Sequence, residues 1–297
     1  MTYPAEFWPG LLGISFFVAG IITYWRDFRA APPGVSSIGA FGPVFVGAAL
    51  ATFAGEHFTS TADIASAVPK WLPAHVFFAY FVGGALLAAG SSFVARRCVR
   101  WSAPSLALMF ALFVLLMDLP KAVTHPTMRL AWSLAAREAT YSIGALALFA
   151  TATASNRPGR AVAIARIARF WTAAVLVFYG LENILFPQFT PGVPDAILTP
   201  AGVPMARAIT FATGVLLIGC GGAMFSEKSA RHGATACGLL MTLLTAAIYV
   251  PQWAIAGGAA AQLLAINFVF DTLLFAGVVL IVGQVITTGE SKAGRPT

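Results

Sequence analysis

Five carboxylates, a histidine and an asparagine occupy positions where side-chain chemistry is expected. Glu56 and His57 close the stretch Phe53-Ala-Gly-Glu56-His57, and Glu182 and Asn183 close Phe178-Tyr-Gly-Leu-Glu182-Asn183. In each stretch the acid comes about fourteen residues into an apolar run and precedes a Pro-rich loop. Asp118, Glu138 and Asp271 sit near the ends of three other apolar runs. With a helical rise of 1.5 Å per residue, all five lie about 20–25 Å from the far ends of their helices. They are therefore expected at one depth, in the outer third of a bilayer. A charged carboxylate costs about 2.5–3.5 kcal/mol at the centre of a membrane helix. Five at one level should face the bundle interior, near Arg137, Arg207, Lys121 and His57. Two chemistries fit: the acids pair with those cations and fix the loops, or an uncompensated acid receives a proton or a polar head group. Arg137 and Glu138 are adjacent, so they point about 100° apart on a helix and should reach different partners.

The remaining chemistry-bearing residues narrow the field. His57, His75, Glu56 and Glu138 could converge on a metal ion, or two histidines could hold a haem. No pair shows His-x₃-His spacing, and the second stretch sets Asn183 against His57, so no metal is expected. Cys98, Cys220 and Cys237 form no CxxC motif and read as reduced structural residues. No phosphate loop, dinucleotide fingerprint, nucleophile elbow or HExxH occurs.

The elements that must position these residues are membrane helices. The chain is 59% hydrophobic and 10% charged, with a mean hydropathy of +0.82, where soluble domains carry about 25% charged residues. Its +7 charge is spread over short loops, which excludes a nucleic-acid footprint. Nine spans are predicted: 7–25, 41–59, 75–95, 104–119, 138–154, 169–186, 206–225, 234–250 and 264–286. Thirteen of the 18 Lys and Arg follow the odd-numbered spans; Lys70, Lys121, Arg129, Arg137 and Arg207 lie on the other side. The positive-inside rule then puts the N-terminus outside and the C-terminus in the cytoplasm. A retained first helix is expected, because Met1–Gly10 has no basic residue and Arg26 and Arg29 follow the first run. The outer loops are rich in Pro and aromatics and read as ordered interfacial caps.

An internal repeat orders the spans. Glu56 aligns with Glu182, Gly84 with Gly214, Pro120 with Pro251 and Glu138 with Asp271, at separations that drift slowly from 126 to 133 residues. Spans 2–5 and 6–9 are thus expected to form two parallel four-helix repeats, related by an axis along the membrane normal. The expected segments are an N-terminal helix (1–40), a first repeat (41–154), a basic linker (155–168), a second repeat (169–287) and a cytoplasmic tail (288–297).

Each repeat resembles the DoxX-like four-helix membrane proteins. The resemblance rests on Gly55-Glu56-His57 and Gly180-x-Glu182-Asn183, on the loops Val68-Pro69-Lys-Trp-Leu-Pro73 and Phe186-Pro187-Gln-Phe-Thr-Pro-Gly-Val-Pro194, and on Arg137-Glu138-x₅-Gly144. The second repeat departs from it at Asn183 and at Phe270, which stands against Arg137. The resemblance implies a subunit or accessory of a quinone-linked redox complex in a bacterial-type plasma membrane, with redox subunits as partners. Glu56, His57 and Tyr80, or Glu182 and Tyr179, could then serve a quinone head group, which needs proton-exchanging groups and aromatic walls. A structural or assembly protein and a transporter of a small amphiphile are the alternatives.

Overall fold

A computed structural model describes residues 7–31, 35–199, 203 and 205–293. Among them there is no strand, and a single isolated bridge joins Phe189 and Leu198. The helices are α1 (Phe7–Ala30), α2 (Gly42–Thr59), α3 (Thr61–Ala67), α4 (His75–Ala95), α5 (Val99–Phe113) and α6 (Leu119–Thr124). They continue with α7 (Arg129–Thr153), α8 (Pro158–Leu185), α9 (Ala206–Phe225), α10 (Glu227–Leu244), α11 (Val250–Ile255) and α12 (Ala259–Ala293). Wide π turns, Val114–Asp118 and Thr245–Tyr249, join α5 to α6 and α10 to α11. Eight of these helical segments are long and apolar enough to cross a membrane, with α5–α6 and α10–α11 each counting as one. The chain has the architecture of an integral membrane protein. Helix α7 has membrane length, but Arg129, Arg137 and Glu138 keep it out of the apolar set.

Several boundaries differ from expectation. Helices α5, α7, α10 and α12 begin upstream of the predicted starts; the first turns of α5, α7 and α10 carry charged residues that break the apolar run, and that of α12 is Ala-rich. The expected linker 155–168 is helical from Pro158 as the first turns of α8, where Pro at the N-terminus and repeated Ala favour a helix despite three Arg. The tail expected from 288 stays helical to Ala293, whereas Arg295 lies outside the described residues, as do the N-terminal residues 1–6.

Both π turns have the same cause. Pro120 and Pro251 sit in the first turns of α6 and α11, where each lacks an N–H and crowds the carbonyl four residues back. Widening the preceding turn relieves the clash without ending the helix.

Helix pairing follows a pattern. α4 packs on α2 and α9 on α8; α5 packs on α7 and α10 on α12. Across the middle α2 meets α12, α8 meets α7, and α7 meets α12. Glycines permit the closest approaches: a Cβ on Gly90 would stand 2.9 Å from the Gly47 carbonyl oxygen, and one on Gly221 would stand 2.8 Å from that of Ala173. The pattern fails once. Helix α12 also packs along α8, while α7 and α2 hardly touch.

Candidate functional site

The gap between α2 and α7 is where the polar residues meet. A cavity of about 470 Å³ is lined by His57 from α2, Arg137, Glu138 and Tyr141 from α7, and Asn267 and Asp271 from α12. Its apolar walls include Phe53, Phe110, Phe113 and Phe268. Arg137 donates from Nη1 to Asp271 Oδ2 at 2.8 Å, and Tyr141 donates to Asp271 Oδ1 at 2.7 Å. Arg137 Nη2 stands 3.8 Å from Glu138 Oε1. Arg137, expected to reach a partner other than its neighbour, thus bridges Asp271 and Glu138.

This cluster carries more acid than base. Glu56 is buried beside Asn267 and within electrostatic reach of Asp271. Asp118, at the end of its π turn, is buried within reach of Glu138. Glu56 Oε1, Asp118 Oδ2, Glu138 Oε2 and the donor Arg137 Nε have no hydrogen-bond partner among the described residues. Three carboxylates, Asp118, Glu138 and Asp271, thus lie within reach of one guanidinium, with Glu56 beside them next to Asp271, leaving three buried oxygens and one N–H for something else to satisfy. His57 donates from Nδ1 to Phe53 O at 2.7 Å, which leaves Nε2 of its neutral ring with a lone pair.

A second cavity of about 420 Å³ adjoins the first, sharing His57, Glu138 and Phe113 with it. It runs between α4 and α5, is otherwise apolar apart from Asp118, and has exposed side chains at Trp71, Phe81, Leu112 and Leu116 on its rim. On the loop side, Arg137 and Asp195 also line a third space with Lys121.

The fifth carboxylate lies elsewhere. Glu182 Oε2 accepts from Arg129 Nη1 at 2.7 Å, and Arg129 Nη2 donates to Asp195 O at 2.8 Å. The Arg129 guanidinium also lies 4.7 Å from the Phe186 and Phe189 ring centres. Sequence reasoning missed Arg129; its place beside the Pro-rich loop, on the face with few cations, was the available signal. The expected cations Lys121 and Arg207 form no ion pair among the described residues.

Asn183 is fully committed to the backbone. Its Nδ2 donates to Tyr179 O at 2.7 Å and to Gly192 O at 2.8 Å, and its Oδ1 accepts from Gly192 N at 2.9 Å. Gly192 has φ +98, a conformation that glycine adopts without strain. The loop Thr190–Pro194 is buried, packed toward Met241 and Leu244, and the Tyr249 hydroxyl donates to Pro191 O. An expected interfacial cap is thus partly an internal plug. Tyr179 is buried and donates to Ser133 O at 2.9 Å. Tyr80 is exposed and stacks on Phe58 at 6.2 Å, away from the polar cavity. His75 bonds to Pro69 O at 3.2 Å, and no group of three His, Cys, Asp or Glu among the described residues is placed to hold a metal.

The chain matches no family model, no curated protein and no solved structure.

Proposed function

We propose that this is a DoxX-like, nine-span membrane protein whose first half binds a quinone head group, serving as an accessory subunit of a membrane redox complex. In this reading α7 is the ninth span, with Arg129 paired to Glu182 of α8, Arg137 paired to Asp271 of α12, and Glu138 facing the cavities rather than lipid. Helices α2, α4, α5–α6 and α7 form one repeat, and α8, α9, α10–α11 and α12 the other. Support comes from the paired packing, the twin π turns 131 residues apart and the matched close approaches at Gly90 and Gly221. The N-terminus faces outward and the C-terminus the cytoplasm, so the loop side that carries Asp195 and Lys121 is extracytoplasmic.

The observation that carries the function is the cavity of about 470 Å³ with a free donor, Arg137 Nε, and a free acceptor, Glu138 Oε2. A quinone carbonyl accepts from the former, a quinol hydroxyl donates to the latter, and Phe53, Phe110 and Phe268 wall the ring. Proton exchange falls to Glu138, Asp271 and His57. In mild detergent the unaltered chain should co-purify with extractable quinone and bind a short-chain quinone analogue. Glu138→Gln, and His57→Asn, which copies the second half, should weaken that binding at least tenfold. An unaltered chain with neither retained quinone nor analogue binding removes the proposal.

One observation favours a structural reading for the second half. Asn183 ties α8 to the loop at Gly192, and Arg129 ties α7 to Glu182 of α8 and to Asp195 O of the loop, so around that loop the polar residues hold the fold together. A purely structural role for both halves would leave the first-half variants with normal partner assembly and altered melting only.

A further inference from the structure

The smaller of the two joined cavities has a different chemistry from the head-group chamber. No Lys or Arg among the described residues lines it, and its polar groups are His57, Asp118 and Glu138. Asp118 is 7% exposed, lines this space, and its Oδ2 has no hydrogen-bond partner among the described residues. Glu138 Oε2 is likewise unpartnered. Arg137 and Lys121 are the cations within electrostatic reach of Asp118, but neither lines the cavity, and Arg137 is held by Asp271 at 2.8 Å. The space therefore offers hydrogen-bond acceptors, a lone pair on His57 and aromatic faces at Trp71, Phe78, Phe81 and Phe113.

The fold does not require an acid at position 118. At the matching end of the other π turn stands Tyr249, a neutral group whose hydroxyl is satisfied by the loop carbonyl of Pro191. An uncompensated carboxylate in a low-dielectric site costs several kcal/mol. The same acceptors, aromatic faces and exposed mouth between α4 and α5 would suit a cation that reaches the site through lipid.

We propose that the cavity bounded by Trp71, Phe81, Phe113, Asp118, Glu138 and His57 is a second binding site, for a monovalent lipophilic organic cation such as a hydrophobic amine or quaternary onium. The charge sits between Asp118 and Glu138, and its apolar substituents lie against the aromatic walls. This goes beyond the quinone reading, uses a different chamber, and rests on the repeat only for the comparison with Tyr249. Because Glu138 and His57 border both chambers, a cation here alters the environment of the head-group site.

The test uses the full chain in mild detergent with two probes of matched size and opposite charge, tetraphenylphosphonium and tetraphenylborate. The phosphonium should bind saturably, one per chain, and at least tenfold more tightly than the borate. Asp118→Asn, checked by its melting curve, should lose at least tenfold in phosphonium affinity and leave borate binding unchanged. A preference below tenfold, or an Asp118→Asn chain that melts normally and binds phosphonium as before, overturns the proposal. The two-probe comparison needs no variant, so a misfolded Asp118→Asn leaves it decisive. Titration with the quinone analogue is scored separately, so either reading can fail while the other stands.

Discussion

At the end of α8, Asn183 takes up both polar groups of Gly192, and the loop Thr190–Pro194 is buried beside Met241 and Leu244. At the end of α2, the His57 ring bonds to Phe53 O of its own helix, and a cavity of about 470 Å³ runs from it to Asp271. The two regions share a sequence pattern and helix pairing but use their polar residues differently. Both polar atoms of the Asn183 side chain are matched by backbone, as a buried amide must be to avoid a net penalty. Around His57, acids outnumber cations and several atoms stay unmatched. Matched polar groups gather at the end of α8, and unmatched ones gather where α2, α7 and α12 meet.

The comparison can be broken most forcefully at Asp271, the only acid that Arg137 contacts at hydrogen-bond distance among the described residues. Asp271→Ala leaves the guanidinium without that partner, and breaking a buried pair costs about 3–5 kcal/mol. A large fall in thermal stability in detergent is expected, with Asp271→Asn milder because the amide oxygen still accepts from Arg137. Equal stability of both variants with the parent would show that the pair does not organise α7 against α12.

Next in size is Asn183→Ala. It strands the N–H and C=O of Gly192, each worth about 1–3 kcal/mol when buried and unpaired, so about 2–6 kcal/mol is expected. His57→Ala, at the matching place, removes one bond within a helix and should cost about 1 kcal/mol or less. Melting curves of the two variants side by side measure the difference directly. Equal losses would mean that the two helix ends are held in the same way.

Much of this arrangement was legible in the sequence, and the failures have physical reasons. Rise per residue predicts Glu56, Asp118, Glu138 and Asp271 at one level; Asp118, Glu138 and Asp271 line the two adjoining cavities, while Glu56 is buried beside Asn267. Glu182 shared that level but not that space, because depth along a helix says nothing about which face an acid occupies. Hydropathy found the apolar segments yet cut α7 short at 138, since a helix that hides Arg129 and Arg137 against its neighbours lacks an apolar signature. The plug was missed because Thr-Pro-Gly-Val-Pro reads as surface loop. Its signal was a run without charge around a glycine, opposite an Asn that replaces His. The π turns could not be read, as five residues are too few to separate a period of 3.6 from a wider one.

The smallest expected effect is also the sharpest in sign. Asp118 and Tyr249 end the two π turns, one with a free buried oxygen and the other with a hydroxyl bonded to Pro191 O. Tyr249→Phe deletes that bond and leaves the carbonyl of a buried loop unsatisfied, so it should lower stability by about 1–2 kcal/mol. Asp118→Asn removes a charge that no bonded cation compensates and keeps the shape of the side chain. It should leave stability unchanged or raise it by up to about 1 kcal/mol, because burying an amide costs less than burying an ion. A melting temperature at or above that of the parent, together with lost phosphonium binding, would mark Asp118 as a residue kept for a ligand at the expense of the fold. A loss of stability as large as that of Tyr249→Phe would instead place it among the residues that hold the bundle together.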